Sequence, residues 1–482
     1  MAKVKTPSYI VELELSVNPQ ERKQVETKMR VAKQIYNACL AHASKCLEKV
    51  LADKSYRLLL KEASSQARNN RLREIERAYG YSEYQLHAYV SPMQHHFKPH
   101  IGSHEAQKLA TRVFKAVERV HYKEAKRIYF KRETDNMSVE NKSNTSGLRF
   151  QDHRVIWGKL SLGVRMKKND MYVHEALADR TKYIRILRRE IRGKVRYFVQ
   201  LIQEGIPPKK RHRPVANDAT KRVGLDIGVS TVAISSEPCV DLVELAPSCS
   251  ANAQKIRVLQ RALDRSRRAM NLANFNPDGT VKRGVPLTWV QSKRSLALKA
   301  KLKDMHRQNA AKRKQDHEQL ANVILSLGSA IRVEKMRVRG LQKRAQQTTR
   351  NRKNGRIHRK KRFGKVIGNR APALLLAILD RKLAYQGLKV KPIDTQSVKA
   401  SQFNHVTQTY EKKSLSTRWN ENIGGRRIQR DVYSAFLIEN TTDDLKAVDL
   451  SLCQKRWSSF VQQQDELVQR IAKHPHLGWY VA

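Results

Sequence analysis

The sequence predicts a multidomain α+β protein, on three observations. Its 482 residues are more than one hydrophobic core ordinarily organises. Along the first half, apolar residues recur first every second position, then every third or fourth, then every second again, as strand, helix and strand would require. A stretch at 204–222, with Pro207, Pro208, Pro214 and the basic run Lys209 to Arg213, then reads as a linker to a second set of strands and helices.

The elements follow in order. Ser8 to Val17 alternates as a strand, and Asn18-Pro19-Gln20-Glu21 supplies an N-cap, a proline at the first helical position and a carboxylate at the third. Val25, Met29, Ala32, Tyr36, Cys39, Ala43, Cys46 and Val50 then form one apolar helical stripe. A second helix is expected from Ser103 to about Tyr129, and the Asn- and Ser-rich stretch Thr134 to Gly147 reads as a loop. Strands are expected at Val155 to Arg165, Tyr183 to Ile191 and Val195 to Gln203, the last two joined by a turn at Arg192-Gly193-Lys194. A small β domain interrupted by a helical one explains this order.

Beyond the linker, Val223 to Ser235 reads as a strand, a tight turn and a second strand. A basic helical region follows from Ala251 to Leu327, interrupted at Asn274 to Pro286. A short strand spans Ala330 to Met336. Pro372 to Gln386 is a helix stopped by Gly387, Leu388 to Ile393 a strand, and the chain closes on helix after Asp431.

Composition narrows the function. Lys+Arg 96 against Asp+Glu 44 gives a net charge of +52, and the sequence pI is about 10.4. Such a charge repels itself unless a polyanion neutralises it, while 40% hydrophobic residues are enough to order a core. Leu341 to Arg370 concentrates the charge, with Lys343, Arg344, Arg350, Arg352, Lys353, Arg356, Arg359, Lys360, Lys361, Arg362, Lys365 and Arg370 and no acid. Phosphate is the partner expected for the ten from Lys343 to Arg362. No apolar leader opens the chain, and the longest apolar run, 371–379, contains Pro372, so neither secretion nor a membrane partner is expected. Five cysteines without a CxxC pair argue against disulfides and structural zinc. The chain has no GxxxxGK[ST] and no GxSxG, which removes the commonest ATPase and serine-hydrolase readings.

Three acids stand out in this basic frame. Asp226 lies within a strand between Leu225 and Ile227, Glu334 beside Val333 in another, and Asp431 after Arg430 at the start of an apolar turn. An unpartnered carboxylate in such surroundings is expensive, so each needs a counter-charge. The acids are 108 and 97 residues apart in sequence, so only the fold can unite them. Converging carboxylates without imidazole or thiol suit Mg²⁺, and two such ions hydrolyse phosphodiesters. Taken singly, each acid reads as a cap or strand-edge residue paired with an arginine. His95, His96, His100 and His104 are read as surface or phosphate-contacting residues, because Pro99 and Gly102 break the helix that would align them. Trp157 and Tyr183 read as core residues, and Phe363 beside Arg362 as a candidate for base stacking.

GLDIG (224–228), VEKM (333–336) and RDVYSA (430–435) resemble the three RuvC motifs of the TnpB transposon-encoded nucleases and compact type V CRISPR effectors. RVAKQIYNACL (30–40), YIRILRREIRGKVRYFVQLIQEG (183–205), NPDGTVKRG (276–284) and ILDRKLAYQGLKVKPID (378–394) fall in the same family order, up to about residue 440. The resemblance implies a split oligonucleotide-binding β-barrel (WED) with a helical recognition lobe, followed by an RNase H-like (RuvC) α/β domain. It places the first barrel strand at 1–20, the helical lobe at 21–147, the rest of the barrel at 148–207 and a linker at 208–222. RuvC motifs I and II fall in 223–395 with a helical insert at 251–327, a zinc-ribbon-like segment at 396–425, and motif III with a helical tail at 426–482.

The activity implied is Mg²⁺-dependent hydrolysis of target DNA selected by a bound guide RNA, with Asp226, Glu334 and Asp431 holding two ions, in a cytoplasmic prokaryotic protein that joins the nucleoid on its target. The family's zinc ribbon has lost its thiolates here: Asn404, Thr407, Glu421 and Gly424 stand in their places, and His405 alone cannot hold zinc. No zinc is therefore expected, and the segment is held by packing or ordered by nucleic acid. Lys335 and Tyr433 also depart from the family pattern. They keep open an RNA-guided binding protein with a weak or silent nuclease, alongside a general RNA-binding factor.

Overall fold

The computed structural model describes residues 6–208, 218, 220–334, 338–342, 363–414 and 417–481. It divides into two compact units, residues 1–210 and 211–482. The ten basic residues from Lys343 to Arg362, most of the stretch read as a linker, and Lys335 and Met336 lie outside the described residues.

The first unit begins with strand β1 (Ser8–Ser16), whose Tyr9, Val11, Leu13 and Leu15 point inward on alternate positions. Helix α1 (Pro19–Ala52) starts on a complete capping box: the Glu21 N–H donates to Asn18 Oδ1 at 2.8 Å and the Asn18 N–H to Glu21 Oε2 at 2.8 Å. Helices α2 (Lys54–Leu59), α3 (Gln66–Ala78), α4 (Glu83–His96) and α5 (Ser103–His121) follow, α4 and α5 packing on each other and on α1. The chain then returns to the sheet through β2 (Ser138–Glu140), β3 (Arg149–Gln151), β4 (Arg154–Trp157), β5 (Leu160–Arg165), helix α6 (Met171–Ala178), β6 (Thr181–Ile191) and β7 (Lys194–Glu204). The seven strands are antiparallel in the order β2-β6-β7-β1-β5-β4-β3, and the sheet curls until β3 comes back against β6.

One buried polar cluster locks helices to sheet. Trp157, 1% exposed, donates from Nε1 to Glu105 Oε2 at 3.0 Å, and the Gly102 N–H donates to the same oxygen at 3.0 Å. Lys28 of α1 lies over the Trp157 ring at 5.2 Å and donates to the carbonyls of Pro99 and His100. Burial raises the Glu105 carboxyl and lowers the Lys28 amine, each partly offset by the other's charge.

Several sequence expectations shift. The stretch Thr134 to Gly147 is not all loop: it contains β2, an edge strand on β6 with Val139, Glu140 and Asn141 buried. Three residues are too few to display alternation, and the ladder with β6, distant in sequence, overrode local polarity. The second helix ends at His121 rather than near Tyr129, because Lys123 turns into the left-handed region at φ 56°. Val155 to Arg165 is two strands folded at Gly158 (φ 64°). The turn between β6 and β7 falls at Arg192 and Gly193, both with positive φ, as a two-residue primed turn needs.

The second unit carries a five-stranded sheet of β8 (Arg222–Ile227), β9 (Thr231–Ser236), β10 (Cys239–Glu244), β11 (Ala330–Val333) and β12 (Lys391–Pro392). The order is β10-β9-β8-β11-β12; the first three form an antiparallel meander, and β11 and β12 run parallel to β8. Its helices are α7 (Ala253–Ala269), α8 (Lys293–Leu327), α9 (Val338–Gln342), α10 (Gly364–Arg370), α11 (Pro372–Ala384), α12 (Thr395–Val398), α13 (Arg430–Glu439) and α14 (Leu450–Ala472). Two short hairpins precede α13: β13 (Phe403–Asn404) with β14 (Thr409–Tyr410), and β15 (Trp419–Ile423) with β16 (Arg426–Gln429).

Alternation along β8 separates the two faces of this sheet. Val223, Leu225 and Ile227 pack with Ala321 and Ile324 of α8 and Leu375 and Leu379 of α11. The opposite face, with Ala233, Val240 and Leu242, is covered by Val432, Ala435 and Phe436 of α13 and Phe460 and Leu467 of α14. Gly224 lies under α13, where a Cβ would stand 2.1 Å from the Ala435 carbonyl oxygen and 2.4 Å from the Glu439 nitrogen. Only glycine lets the helix approach the strand this closely.

Gly224→Ala is therefore expected to cost about 3 kcal/mol, as backbone must move to admit a methyl group. Gly368→Ala, where a Cβ meets nothing within 4 Å, is expected to be neutral or stabilising by under about 1 kcal/mol. Thermal unfolding of the two variants checks both.

Candidate functional site

Register brings the first two acids together. Leu225 of β8 pairs with Val333 of β11 in parallel, so the next step along both strands sets Asp226 beside Glu334 at the strands' C-terminal ends. Neighbouring strands are about 4.8 Å apart, and residues at one level share a face. That face is α13's, since Leu225 points the other way into the α8 and α11 core.

Helix α13 supplies the third acid. Ala435 and Glu439 sit over Gly224, and Asp431 lies on the same stripe one turn before Ala435. The helix is fixed at both ends. Gln429 caps its start by accepting from the Val432 N–H at 2.8 Å, and the Gln429 N–H donates to Gln464 Oε1 of α14 at 2.9 Å. At the far end, buried Glu439 accepts from Ser235 Oγ at 2.6 Å and pairs with Arg456 at 3.5 Å.

The electrostatics of the acids differ. Asp226 is held well above the usual carboxylate range, first by burial and then by the charges of Asp431 and Glu334, with Arg430 pulling the other way. Burial alone raises Glu334. Among the described residues neither Asp226 nor Glu334 has a hydrogen-bond or ion-pair partner. Asp431 is paired: Arg430 Nη2 lies 2.8 Å and Nε 3.1 Å from its Oδ1, and Arg418 Nη1 lies 3.6 Å from its Oδ2. Arg430 is itself held by the Thr417 carbonyl at 2.9 Å, and Arg418 lies over the Tyr480 ring at 4.8 Å.

The donor chemistry of Asp226 and Glu334, hard oxygens without a counter-ion among the described residues, fits a divalent cation. Asp431 is within electrostatic reach of Asp226 but turned to its arginines. Among the described residues no three His, Cys, Asp or Glu side chains are grouped so as to hold a metal ion. The four histidines do not gather: His95 and His96 are exposed at the end of α4, while His100 and His104 are half-buried in the turn and the start of α5.

The two arginines on Asp431 were not among the residues singled out from sequence. Arg430 adjoins Asp431 and could have been found; Arg418 is thirteen positions away and comes from β15's approach, which has no local signal.

The segment at 396–425 is organised by side chains. Asn404 Oδ1 accepts from the Val406 N–H at 3.0 Å, Thr407 meets Thr409 across the hairpin at 2.7 Å, Glu421 pairs with Arg427 at 3.0 Å, and Gly424 turns at φ 58° against Trp457. His405 is buried among Tyr433, Phe436 and Trp457, with ring centroids 5.8, 5.8 and 4.7 Å away. Its backbone N–H donates to Tyr433 Oη at 3.0 Å, and its ring Nδ1 shares a second hydrogen bond with the same hydroxyl at 2.7 Å. Burial pushes the His405 imidazole down to about 4.

No family model matches this chain, and no curated protein matches it. Among solved structures it is similar to a cryo-EM structure of a Cas12f1–sgRNA–target DNA complex, at 10% identity and a TM-score of 0.46 over 90% of this chain and 99% of that one. A cryo-EM structure of a CRISPR-Cas12f ternary complex is matched at 11% identity and a TM-score of 0.29, over 89% of this chain and 82% of that one. Among the described residues no helix is long and apolar enough to cross a membrane.

His405 carries a pH dependence. Its folded value near 4 lies below the ordinary 6.5, so the neutral ring's contribution is whole above pH 6.5 and is lost as pH falls toward 4. The loss is expected to reach on the order of 3 kcal/mol. Unfolding followed from pH 7 to 4 should show a shallower decline for His405→Phe than for the parent.

Proposed function

We propose that this chain is an RNA-guided DNA endonuclease whose second unit is a RuvC-type hydrolase and whose curled sheet and helices form the guide-binding half. The observation that carries the reading is the pair of carboxylates, Asp226 and Glu334, at adjacent strand ends with no counter-ion among the described residues, and with Asp431 a short way across α13. Their motifs resemble the three RuvC motifs in order, and a charge of +52 needs a polyanion.

Asp226 and Glu334 would hold divalent cations, with Asp431 completing the set. Bound there, the ions would supply an activated water and stabilise the leaving oxygen of a phosphodiester. The protein's own residues do the rest. The strand ends fix two carboxylates at one level, and Gly224 lets α13 bring the third within reach. Arg418 and Arg430 pair with Asp431, and a phosphate backbone entering the site competes for both guanidinium groups. Guide pairing would select the strand, so the chain needs charge along its grooves more than base-reading side chains.

A second reading, a guided binder without cleavage, is favoured by one observation: Asp431 is held by two arginines and the three acids do not form a metal-holding group. The purified complex with its copurifying RNA, target DNA and Mg²⁺ separates the two. The parent should cut, and Asp226→Ala and Glu334→Ala should each slow cutting by about 10³-fold, some 4 kcal/mol of barrier, while DNA binding in EDTA stays unchanged. Binding without cutting by the parent would install the binder. Copurifying RNA of mixed sequence would instead mark a general RNA-binding factor.

Asp226→Asn has a second expected outcome. Because burial first and the neighbouring carboxylates second make the ionised Asp226 unfavourable, the variant should melt higher than the parent without metal. It should also lose most of the rise in melting temperature that Mg²⁺ gives the parent.

A further inference from the structure

Helix α8 meets the sheet core through Ala321, Ile324 and Leu325 near its C-terminal end, while its first residue, Lys293, lies 28 positions earlier. At 1.5 Å per residue the start of α8 stands about 40 Å along its axis from that core. Helix α7 runs beside it with no buried residue. The connection between them, 270–292, therefore sits at the tip of an arm.

The tip is a built structure. Buried Asn271 donates from Nδ2 to the Arg267 and Val290 carbonyls at 2.8 and 3.0 Å and accepts from the Val290 N–H at 2.7 Å. Buried Asn274 donates to the Thr288 carbonyl at 2.7 Å and accepts from the Lys282 N–H at 3.0 Å. Asp278 closes a tight turn onto the Thr280 N–H at 2.8 Å, with Gly279 at φ 76°. On this frame the Arg267 guanidinium covers the Trp289 ring at 3.7 Å, Trp289 meets Phe275 edge-on at 5.8 Å, and Arg268 lies over Phe275 at 5.1 Å.

Beside this stack opens a cleft of about 540 Å³ lined by Arg268, Leu272, Phe275, Pro277 and Lys282 among others. Leu272 is 76% exposed, and Met270, Val281, Val285 and Val290 of the same connection are also exposed. From 264 to 294 the chain carries Arg265, Arg267, Arg268, Lys282, Arg283, Lys293 and Arg294 against Asp264 and Asp278, and both acids are engaged, with Arg268 and Thr280.

We propose that this cleft binds one unstacked base of a single-stranded nucleic acid, the base lying on Leu272, Phe275 and Pro277 and its phosphate on Lys282. Apolar floor and cationic rim are the two halves of such a site, and stacked guanidinium and aromatic planes are surfaces on which bases pack. A duplex offers no free base face to a cleft of this size, so the occupant is a single strand. The braced loop presents the cleft ready-made, so little ordering opposes binding. The inference goes beyond the hydrolytic reading and does not depend on it.

The test uses the full-length chain in EDTA, with 4-thiouridine-labelled oligo(U) and 4-thiothymidine-labelled oligo(dT), irradiated and mapped by peptide mass spectrometry. Crosslinks should fall within 270–283 and drop roughly tenfold in Leu272→Ser/Lys282→Ser. Both changes are at exposed side chains, so folding should be preserved, which circular dichroism checks. The oligonucleotide giving the higher yield identifies RNA or DNA as the strand. Crosslinks persisting in Asp226→Ala keep this site separate from the nuclease question. Crosslinks confined to other segments, equal yields in the double variant, or a tip that captures a second protein copy but neither oligonucleotide would each overturn the proposal.

Discussion

The second unit depends on how closely α13 lies on β8. A helix normally stands off a sheet by the thickness of two side-chain layers; over Gly224 one layer is missing, and the Ala435 carbonyl and the Glu439 backbone come down onto the strand. That descent sets the height of Asp431 relative to Asp226. It also explains why both ends of α13 are fixed by buried polar contacts: Gln464 at the start, Ser235 and Arg456 at the end. Such buried polar contacts fix the helix ends in a low-dielectric setting, where each bond is strong and its geometry is kept.

Given that geometry, the acids follow from electrostatics. Parallel register places two carboxylates at one level, and a strand end buried on one face strips them of water, so their charges are felt more strongly than at a surface. The molecule meets this cost unevenly. Asp431 has two arginines, whereas Asp226 and Glu334 have none among the described residues. In a chain with more than twice as many cations as acids, the described arginines gather on Asp431 rather than on the other two carboxylates.

Much of this was legible in the sequence because short-range rules governed it. The capping box at Asn18 and Glu21, the alternation of β1 and β8, and Trp157 as a core residue all came from patterns a few residues long. The three acids were visible as anomalies, charged groups in apolar surroundings. What could not be read depended on chain pairing. The strand β2 is too short to carry a period, Arg418 reaches Asp431 only through the β15 turn, and nothing around Gly224 in the sequence shows that α13 lies across it. The tip of the α7–α8 arm was read as an interruption of helix and as one of the stretches in family order, with no role given to its side chains. Its exposed Leu272 and braced asparagines have no signature in one dimension.

The brace around His405 has a consequence for durability. A thiolate-bound zinc is lost to chelators, and its sulfurs are attacked by peroxide; a module built on it inherits both weaknesses. Rings from Tyr433, Phe436 and Trp457 closed on one imidazole offer nothing for either reagent to remove. The two hairpins ahead of α13 would thus keep their shape under peroxide or a chelator and loosen in acid, where His405 takes up a proton.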